Sequence, residues 1–269
     1  MAYEQILTET RDDILVVTLN RPEKLNAWTE TMRFEICDAI ANGNDDPDVG
    51  AIVMTGAGRG FCAGADIEQQ FNSRLAGGER PGAREPAERR DWVSFMRESK
   101  PIVAAVNGVA VGVGLTMILP MDIIIASENA RFGMFFVRMG LVPELASSSL
   151  AVQRVGFAKA SEMCLTGKLY EASEIADTGL VNAVVPADDL LDSAISMAKQ
   201  IASNPAPSLR MIKNLLTRNA NSDDLATVQA REVEALQVAY ETPEHKEAVK
   251  AFLEKRKPDF KKAAAAAGS

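Results

Sequence analysis

The hydrophobic positions follow two periods along this chain, and the switch between them sets out its organisation. Residues 3–10 and 14–19 (ILVVTL) are short runs of strand-forming residues separated by Arg11-Asp12-Asp13, which predicts a β-hairpin. Asn20-Arg21-Pro22-Glu23-Lys24 then reads as a loop. From about Thr29 to Asn42, Met32, Ile36, Ala39 and Ile40 recur at helical spacing and predict an amphipathic helix. Residues 50–54 (GAIVM) form a buried-type strand ending at Thr55-Gly56. The stretch 77–90 (GGERPGAREPAERR) is rich in Gly, Pro and mixed charge, and predicts a mobile surface loop that gates a site. Strands at 102–106 (IVAAV) and 122–126 (DIIIA) flank a glycine-rich turn and a helix at 113–119. This alternation of strand, turn and helix implies an α/β core. Beyond Asp188 the pattern becomes helical, over 188–203, 206–219, 223–240 and 244–256. The expected organisation is therefore a core over residues 1–200, a helical part over 201–260, and a flexible low-complexity tail (KKAAAAAGS) over 261–269. No internal repeat of fixed period is present.

Composition narrows the possibilities. With 269 residues, of which 47% are hydrophobic and 25% charged, the chain has ample material for a buried core. A net charge of −8 opposes binding to nucleic acid or to anionic lipid. Cys37, Cys62 and Cys164 are odd in number and widely spaced, which speaks against a disulfide framework or a structural zinc site. The first residues have no basic and apolar export signal, and the apolar stretch 102–126 is broken by Asn107, three glycines, Pro120 and Asp122. These features lead to the expectation of a cytoplasmic protein without a membrane span.

Two glycine-containing segments carry the candidate chemistry. Gly56-Ala57-Gly58-Arg59-Gly60 follows a strand but lacks the spacing of a dinucleotide loop, so its glycines serve a turn. In the segment Phe61-Cys62-Ala63-Gly64-Ala65-Asp66-Ile67, small residues let a ligand approach the main chain, where the Ala65 N–H can donate. The segment Asn107-Gly108-Val109-Ala110-Val111-Gly112-Val113-Gly114-Leu115 ends a strand and opens a helix, where free N–H groups suit a developing anion.

Taken in order with Asp122-Ile123-Ile124, Arg131-Phe132-Gly133, Leu165-Thr166-Gly167 and Gly179-Leu180-Val181-Asn182, these segments resemble the crotonase (enoyl-CoA hydratase/isomerase) superfamily. The resemblance starts at Asn20-Arg21-Pro22-Glu23-Lys24-Leu25-Asn26-Ala27 and closes with Ala251-Phe252-Leu253-Glu254-Lys255-Arg256-Lys257-Pro258, so it spans nearly the whole chain. It implies an α/β fold, a spiral of ββα units with a C-terminal helical trimerisation region, and a homotrimer or dimer of trimers. The implied partner is an acyl-CoA thioester substrate. No cofactor is implied, because coenzyme A is part of that substrate. The implied oxyanion hole is the N–H of Ala65 and the N–H of Val113. Ala63, Gly64, Ala65, Asp66, Ile67, Lys24, Leu25, Gly112, Thr116 and Phe136 become the substrate-binding residues. Lys24, Lys255 and Lys257 are candidates for the CoA phosphates.

Hydratases of this family carry two glutamates, which hold the added water and manage its protons. Here those places hold Thr116 and Phe136, neither of which exchanges protons at neutral pH. A carboxylate follows at Glu144, in Gly140-Leu141-Val142-Pro143-Glu144-Leu145. Leu141, Val142, Leu145, Phe135 and Phe136 surround it in sequence with apolar bulk, an environment expected to raise its pKa. Pro143-Glu144 followed by Ala146-Ser147-Ser148-Ser149 resembles the Δ3,Δ2-enoyl-CoA isomerases, which work with a single glutamate. The expected activity is isomerisation of 3-enoyl-CoA to 2-enoyl-CoA. The alternatives are another crotonase reaction (dienoyl-CoA isomerase, specialised hydratase or hydrolase) or a non-catalytic binding protein. Asp66 and Asp122 are expected to be structural, and His245, the single histidine, to be solvated on a polar helix.

Overall fold

The predicted hairpin opens the computed structural model, which describes residues 3–70 and 91–267. Strands β1 (Ile6–Arg11) and β2 (Ile14–Leu19) pair antiparallel, with Arg11 opposite Ile14 across a left-handed Asp12. β1 is an exposed edge apart from Ile6, whereas β2 is buried along nearly its whole length. Its continuous apolar run reflects cover on both faces. From β2 onward the sheet is parallel and takes the order β1-β2-β3-β5-β7-β10, with β3 (Ala51–Gly56), β5 (Ile102–Val106), β7 (Ile123–Ser127) and β10 (Ala183–Val185).

A second, four-stranded sheet was not legible in the periodicity. It has the order β4-β6-β8-β9, with β4 (Gly60–Cys62), β6 (Val109–Val111), β8 (Arg131–Gly133) and β9 (Leu169–Glu171). Three times a strand of the large sheet turns a corner into a strand of the small one: β3 into β4, β5 into β6 and β7 into β8. Each pair is followed by a short helical segment, namely Ile67–Gln70, Val113–Thr116 and the 3-10 turn Phe135–Met139. This is the spiral of ββα units implied by the resemblance. The corner between β3 and β4 is stapled by two asparagines. Asn26 Nδ2 donates to the carbonyls of Ala57 and Gly60 at 2.9 and 2.8 Å, and Asn107 Nδ2 donates to that of Gly58 at 2.9 Å.

The predicted first helix forms over Glu30–Asp45. Thr29 caps it by accepting from the Met32 N–H at 3.0 Å, and Met32, Ile36 and Ile40 bury completely against the large sheet's core. Trp92, in the helix Trp92–Glu98, packs edge-on against Trp28 with ring centroids 5.2 Å apart. The longest helix among the described residues, Ser147–Thr166, is kinked at Gly156. The helix expected at 113–119 stops at Thr116. The following carbonyls of Leu119 and Met121 are instead held by the Arg154 guanidinium, and Pro120 has no N–H to continue the ladder.

The chain divides into two compact units, Met1–Lys199 and Gln200–Ser269. The second is built from helices Ala206–Asn219, Leu225–Glu241, Pro243–Leu253 and Phe260–Ala267. The last of these corrects the expected flexible tail: its alanine run has the highest helix propensity, and Asp259 Oδ1 accepts from the Lys262 N–H at its start. Arg256 joins Glu247 and Glu254, and Glu247 Oε1 also accepts from the Asp259 N–H at 2.9 Å. The expected gating loop at 77–90 lies outside the described residues.

Candidate active site

Two segments distant in sequence meet at the corner between the sheets. On the first, Trp28 and Ala65 form a parallel bridge in which the Trp28 N–H donates to Gly64 O at 2.8 Å and the Asp66 N–H donates to Trp28 O at 2.9 Å. In a parallel bridge one residue makes both bonds, so the N–H of its opposite number points the other way. The Ala65 N–H is thereby turned away from Trp28, and it has no acceptor among the described residues. Asp66 is buried and paired with Arg21 at 2.9 Å, while Arg21 Nη1 also donates to Ala27 O. The Asp66 carboxylate therefore braces this loop, as the sequence suggested. The Ala63 N–H donates to Leu25 O at 3.0 Å, fixing Ala63 beside Leu25, which has φ 50.

On the second segment, Gly112 donates to Gly133 O at 2.9 Å and turns the chain with φ 53 into the helix Val113–Thr116. The Leu115 and Thr116 N–H groups both return to Gly112 O at 3.0 Å. Val113 is the first helical residue, so its N–H has no partner within the helix and none among the other described residues.

Contact between these segments is close. A Cβ built on Gly112 would lie 3.9 Å from Gly64 Cα, and one built on Gly64, where φ is 99, would lie 3.3 Å from Val111 O. Gly114 approaches still more tightly, since a Cβ there would lie 2.1 Å from Cys62 O. The peptides preceding Ala65 and Val113 thus run side by side, each with an unused N–H. Two fixed main-chain donors next to each other can hold one carbonyl oxygen and any negative charge that develops on it.

The remaining candidates differ in their burial. Thr116 is fully buried, and its hydroxyl has no hydrogen-bond partner among the described residues. Phe136 is buried in the 3-10 turn, and its carbonyl accepts from the Leu141 N–H at 2.9 Å. Glu144 lies in an irregular stretch that ends in two successive left-handed residues, Leu145 and Ala146, before the helix Ser147–Thr166. Its carbonyl accepts from the Ser147 N–H at 3.1 Å. One expectation is corrected here: within the single chain Glu144 is exposed rather than enclosed in apolar bulk. Its apolar sequence neighbours Leu141 and Val142 are also exposed. Lys24 is exposed beside this site, paired with Glu68 at 3.1 Å, and Ile67 is exposed as well.

Several residues escaped the sequence reading. Arg154 donates to Leu119 O at 3.1 Å and to Met121 O, tying the segment that begins at Val113 to the helix that follows Glu144. Burial draws its pKa down to about 10, and Arg97 adds to this by like-charge repulsion, yet it stays protonated at neutral pH. The bracing roles of Asn26 and Arg21 were also unforeseen; Asn26 is buried and left-handed, which the sequence does not display. Cys62 is buried and its pKa is pushed up to about 12, so it is a thiol and not a nucleophile. Asp122 accepts from the Ile102 N–H at 2.8 Å, a structural role as expected. In the second unit Lys255 and Lys257 are exposed. His245 is half-buried with its ring edge-on to Tyr240, not solvated as expected. Among the described residues no group of His, Cys, Asp or Glu could hold a metal ion, and no helix is long and apolar enough to cross a membrane.

The chain is similar along most of its length to known proteins. The enoyl-CoA hydratase/isomerase family matches residues 9–263. The chain is 35% identical over 260 residues to a probable enoyl-CoA hydratase of Mycobacterium tuberculosis, covering 97% of this chain and 99% of that protein. It is 33% identical over 261 residues to the 1,2-epoxyphenylacetyl-CoA isomerase of Escherichia coli K12, covering 96% and 98% respectively. The crystal structure of an enoyl-CoA hydratase from Bacillus anthracis superposes with a TM-score of 0.84 at 28% identity, covering 96% of this chain and 99% of that one. With its two-sheet spiral, its paired main-chain donors and these relatives along nearly its whole length, the chain belongs to the enoyl-CoA hydratase/isomerase family, the crotonase superfamily of acyl-CoA enzymes.

Proposed function

We propose that this enzyme isomerises 3-enoyl-CoA to 2-enoyl-CoA, with Glu144 as its single acid–base group and the N–H groups of Ala65 and Val113 as its oxyanion hole. The observation that carries this reading is the pair of buried, non-titrating residues Thr116 and Phe136 at the places where hydration needs carboxylates, with Glu144 three residues before the helix Ser147–Thr166. The Glu144 carboxylate takes a proton from C2, and the electron pair moves onto the thioester oxygen as a dienolate. The two N–H donors stabilise that oxygen, and losing one such donor typically costs about 2.7–4 kcal/mol of transition-state energy. Collapse of the dienolate takes the same proton back at C4 and leaves the double bond between C2 and C3. Water and cofactor take no part. Gly112, Ala63, Gly64 and Leu25 shape the channel along which the thioester lies, and Lys24 meets the CoA phosphates.

A second reading, hydration, is favoured by the name of the M. tuberculosis relative. Supplying 3-enoyl-CoA and 2-enoyl-CoA separately distinguishes the two. Isomerisation gives the conjugated enoyl absorbance from the first and leaves the second unchanged, whereas rapid loss of that absorbance from the second establishes hydration.

We also propose a cytoplasmic homotrimer or dimer of trimers that binds neither nucleic acid nor membrane. Leu225, Val233, Leu236 and Tyr240 of the helix Leu225–Glu241 are between 45% and 76% exposed, an apolar surface suited to a second copy. Light scattering should give a trimer or hexamer mass at micromolar concentration; a monomer there contradicts the proposal.

A further inference from the structure

The segment that begins at the Val113 N–H is a helix of a single turn, Val113–Thr116, too short to hold its own orientation. Its end therefore depends on partners from elsewhere in the chain. The Met117 N–H returns to Val113 O at 2.9 Å. The Met117 carbonyl, however, finds no N–H in the turn that follows. Pro120 has none to give, and the Met121 N–H bonds to Ile118 O at 3.0 Å. The Trp92 indole supplies the bond instead, with Nε1–H donating to Met117 O at 2.9 Å.

Trp92 also reaches the other donor segment. Its ring stands edge-on to that of Trp28, with centroids 5.2 Å apart and planes at 85°. Trp28 is the residue whose main chain bridges Ala65, through Gly64 O and the Asp66 N–H. Both tryptophans are buried, Trp92 at 2% and Trp28 at 5% exposure. A continuous path of buried contacts thus runs from Ala65 through Trp28 and Trp92 to Met117, and from there to Val113. An indole is a rigid body on two rotatable bonds, and a buried indole N–H holds to its acceptor, so such a path fixes the distance it spans.

We infer that Trp92 is a positioning residue: braced on Trp28, it sets the separation of the Ala65 and Val113 N–H groups. The inference rests on the proposed oxyanion hole. Trp92 touches neither donor; it acts through the Met117 carbonyl on one and through the Trp28 ring on the other.

Infrared difference spectra of hexanoyl-CoA, isotope-labelled at its thioester carbonyl and bound to the enzyme, test this. Two N–H donors on the carbonyl oxygen lower its stretching frequency, so the wild type should show a band below that of the free ester. Trp92→Phe keeps a ring and removes the N–H, whereas Trp28→Leu keeps the main-chain bridge and removes the ring. Each should lose much of the downshift. Each should also cut kcat on 3-enoyl-CoA at least about tenfold with KM little changed, as expected for a misplacement of a fraction of an ångström. Tyr170→Phe is the control, because it removes another buried aromatic residue's hydrogen bond, to Glu162 at 2.9 Å. It should leave the band and kcat unchanged, with thermal melts confirming that every variant is folded. A downshift kept in full by either folded tryptophan variant, or lost equally in Tyr170→Phe, overturns the inference and leaves the proposed hole standing. A wild type without a downshift overturns both. A wild type that shows the downshift, loses it in the tryptophan variants and does not convert 3-enoyl-CoA retains the inference and overturns only the isomerase reading.

Discussion

Replacing Gly114 by alanine probes the link between packing and the proposed oxyanion hole. The added Cβ would lie 2.1 Å from Cys62 O and 2.9 Å from both Cys62 C and Cys62 Cβ. No side-chain rotation relieves a clash with backbone, so the Cys62 and Gly114 segments must separate by about 1 Å to reach even a tight contact. Those segments lead directly to Ala65 and support Val113, so the two N–H donors move apart by a similar amount. A misplacement of about 1 Å costs on the order of 10²-fold in rate, and the loss should fall on kcat rather than on KM. Gly156→Ala is the control: its φ of 73 strains an alanine, but nothing lies within 4 Å of the added Cβ. That variant should lose about 1–3 kcal/mol of stability, read from its Tm, while kcat at 25 °C stays near wild type. Steady-state kinetics on 3-enoyl-CoA, with circular dichroism to confirm folding, makes the comparison. A folded Gly114→Ala enzyme with wild-type kcat would refute the proposal that this contact sets the donor geometry.

Two further predictions follow from single groups. Val113→Pro removes one proposed donor and should cut kcat by at least about 10²-fold, whereas Val113→Gly keeps the N–H and should retain most activity; equal loss in both would move the hole elsewhere. Glu247 has its pKa lowered to about 2, chiefly by its hydrogen bonds from Arg256, so its contribution to holding the turn before the helix Phe260–Ala267 is present above the ordinary glutamate range and is lost as pH falls through about 2. NMR titration should show Arg256→Ala returning Glu247 towards the ordinary glutamate value of 4.5, and an unchanged titration would refute the role given to that pair.

Elements with a full period of side chains were legible in the sequence. The hairpin of β1 and β2, the parallel strands β3, β5 and β7, and the helix Glu30–Asp45 each bury a regular set of apolar positions. Strands β4, β6, β8 and β9 span three residues each, too few for alternation to register, and the corner into β4 is held by Asn26 and Asn107. The helix Ser147–Thr166 was hidden because Gly156 interrupts its period and its first turn is a serine run. At the site, the resemblance singled out Ala65 and Val113, and local hydrogen bonding explains why their N–H groups have no acceptor among the described residues. The exposure of Glu144 was not legible, because apolar neighbours in sequence do not become neighbours in space when Leu145 and Ala146 turn left-handed. Arg154 was missed because its acceptors are main-chain carbonyls more than thirty residues away, which leave no mark in the pattern of side chains.

Conversion of 3-enoyl-CoA by the wild type and by Glu144→Gln tests the central claim most directly. Glutamine keeps the shape of the side chain and cannot accept the C2 proton, so binding of the CoA ester should survive while kcat falls by about 10²–10⁴-fold. A Glu144→Gln enzyme within a few-fold of wild type, or a wild type that leaves 3-enoyl-CoA unchanged while rapidly hydrating 2-enoyl-CoA, would contradict it.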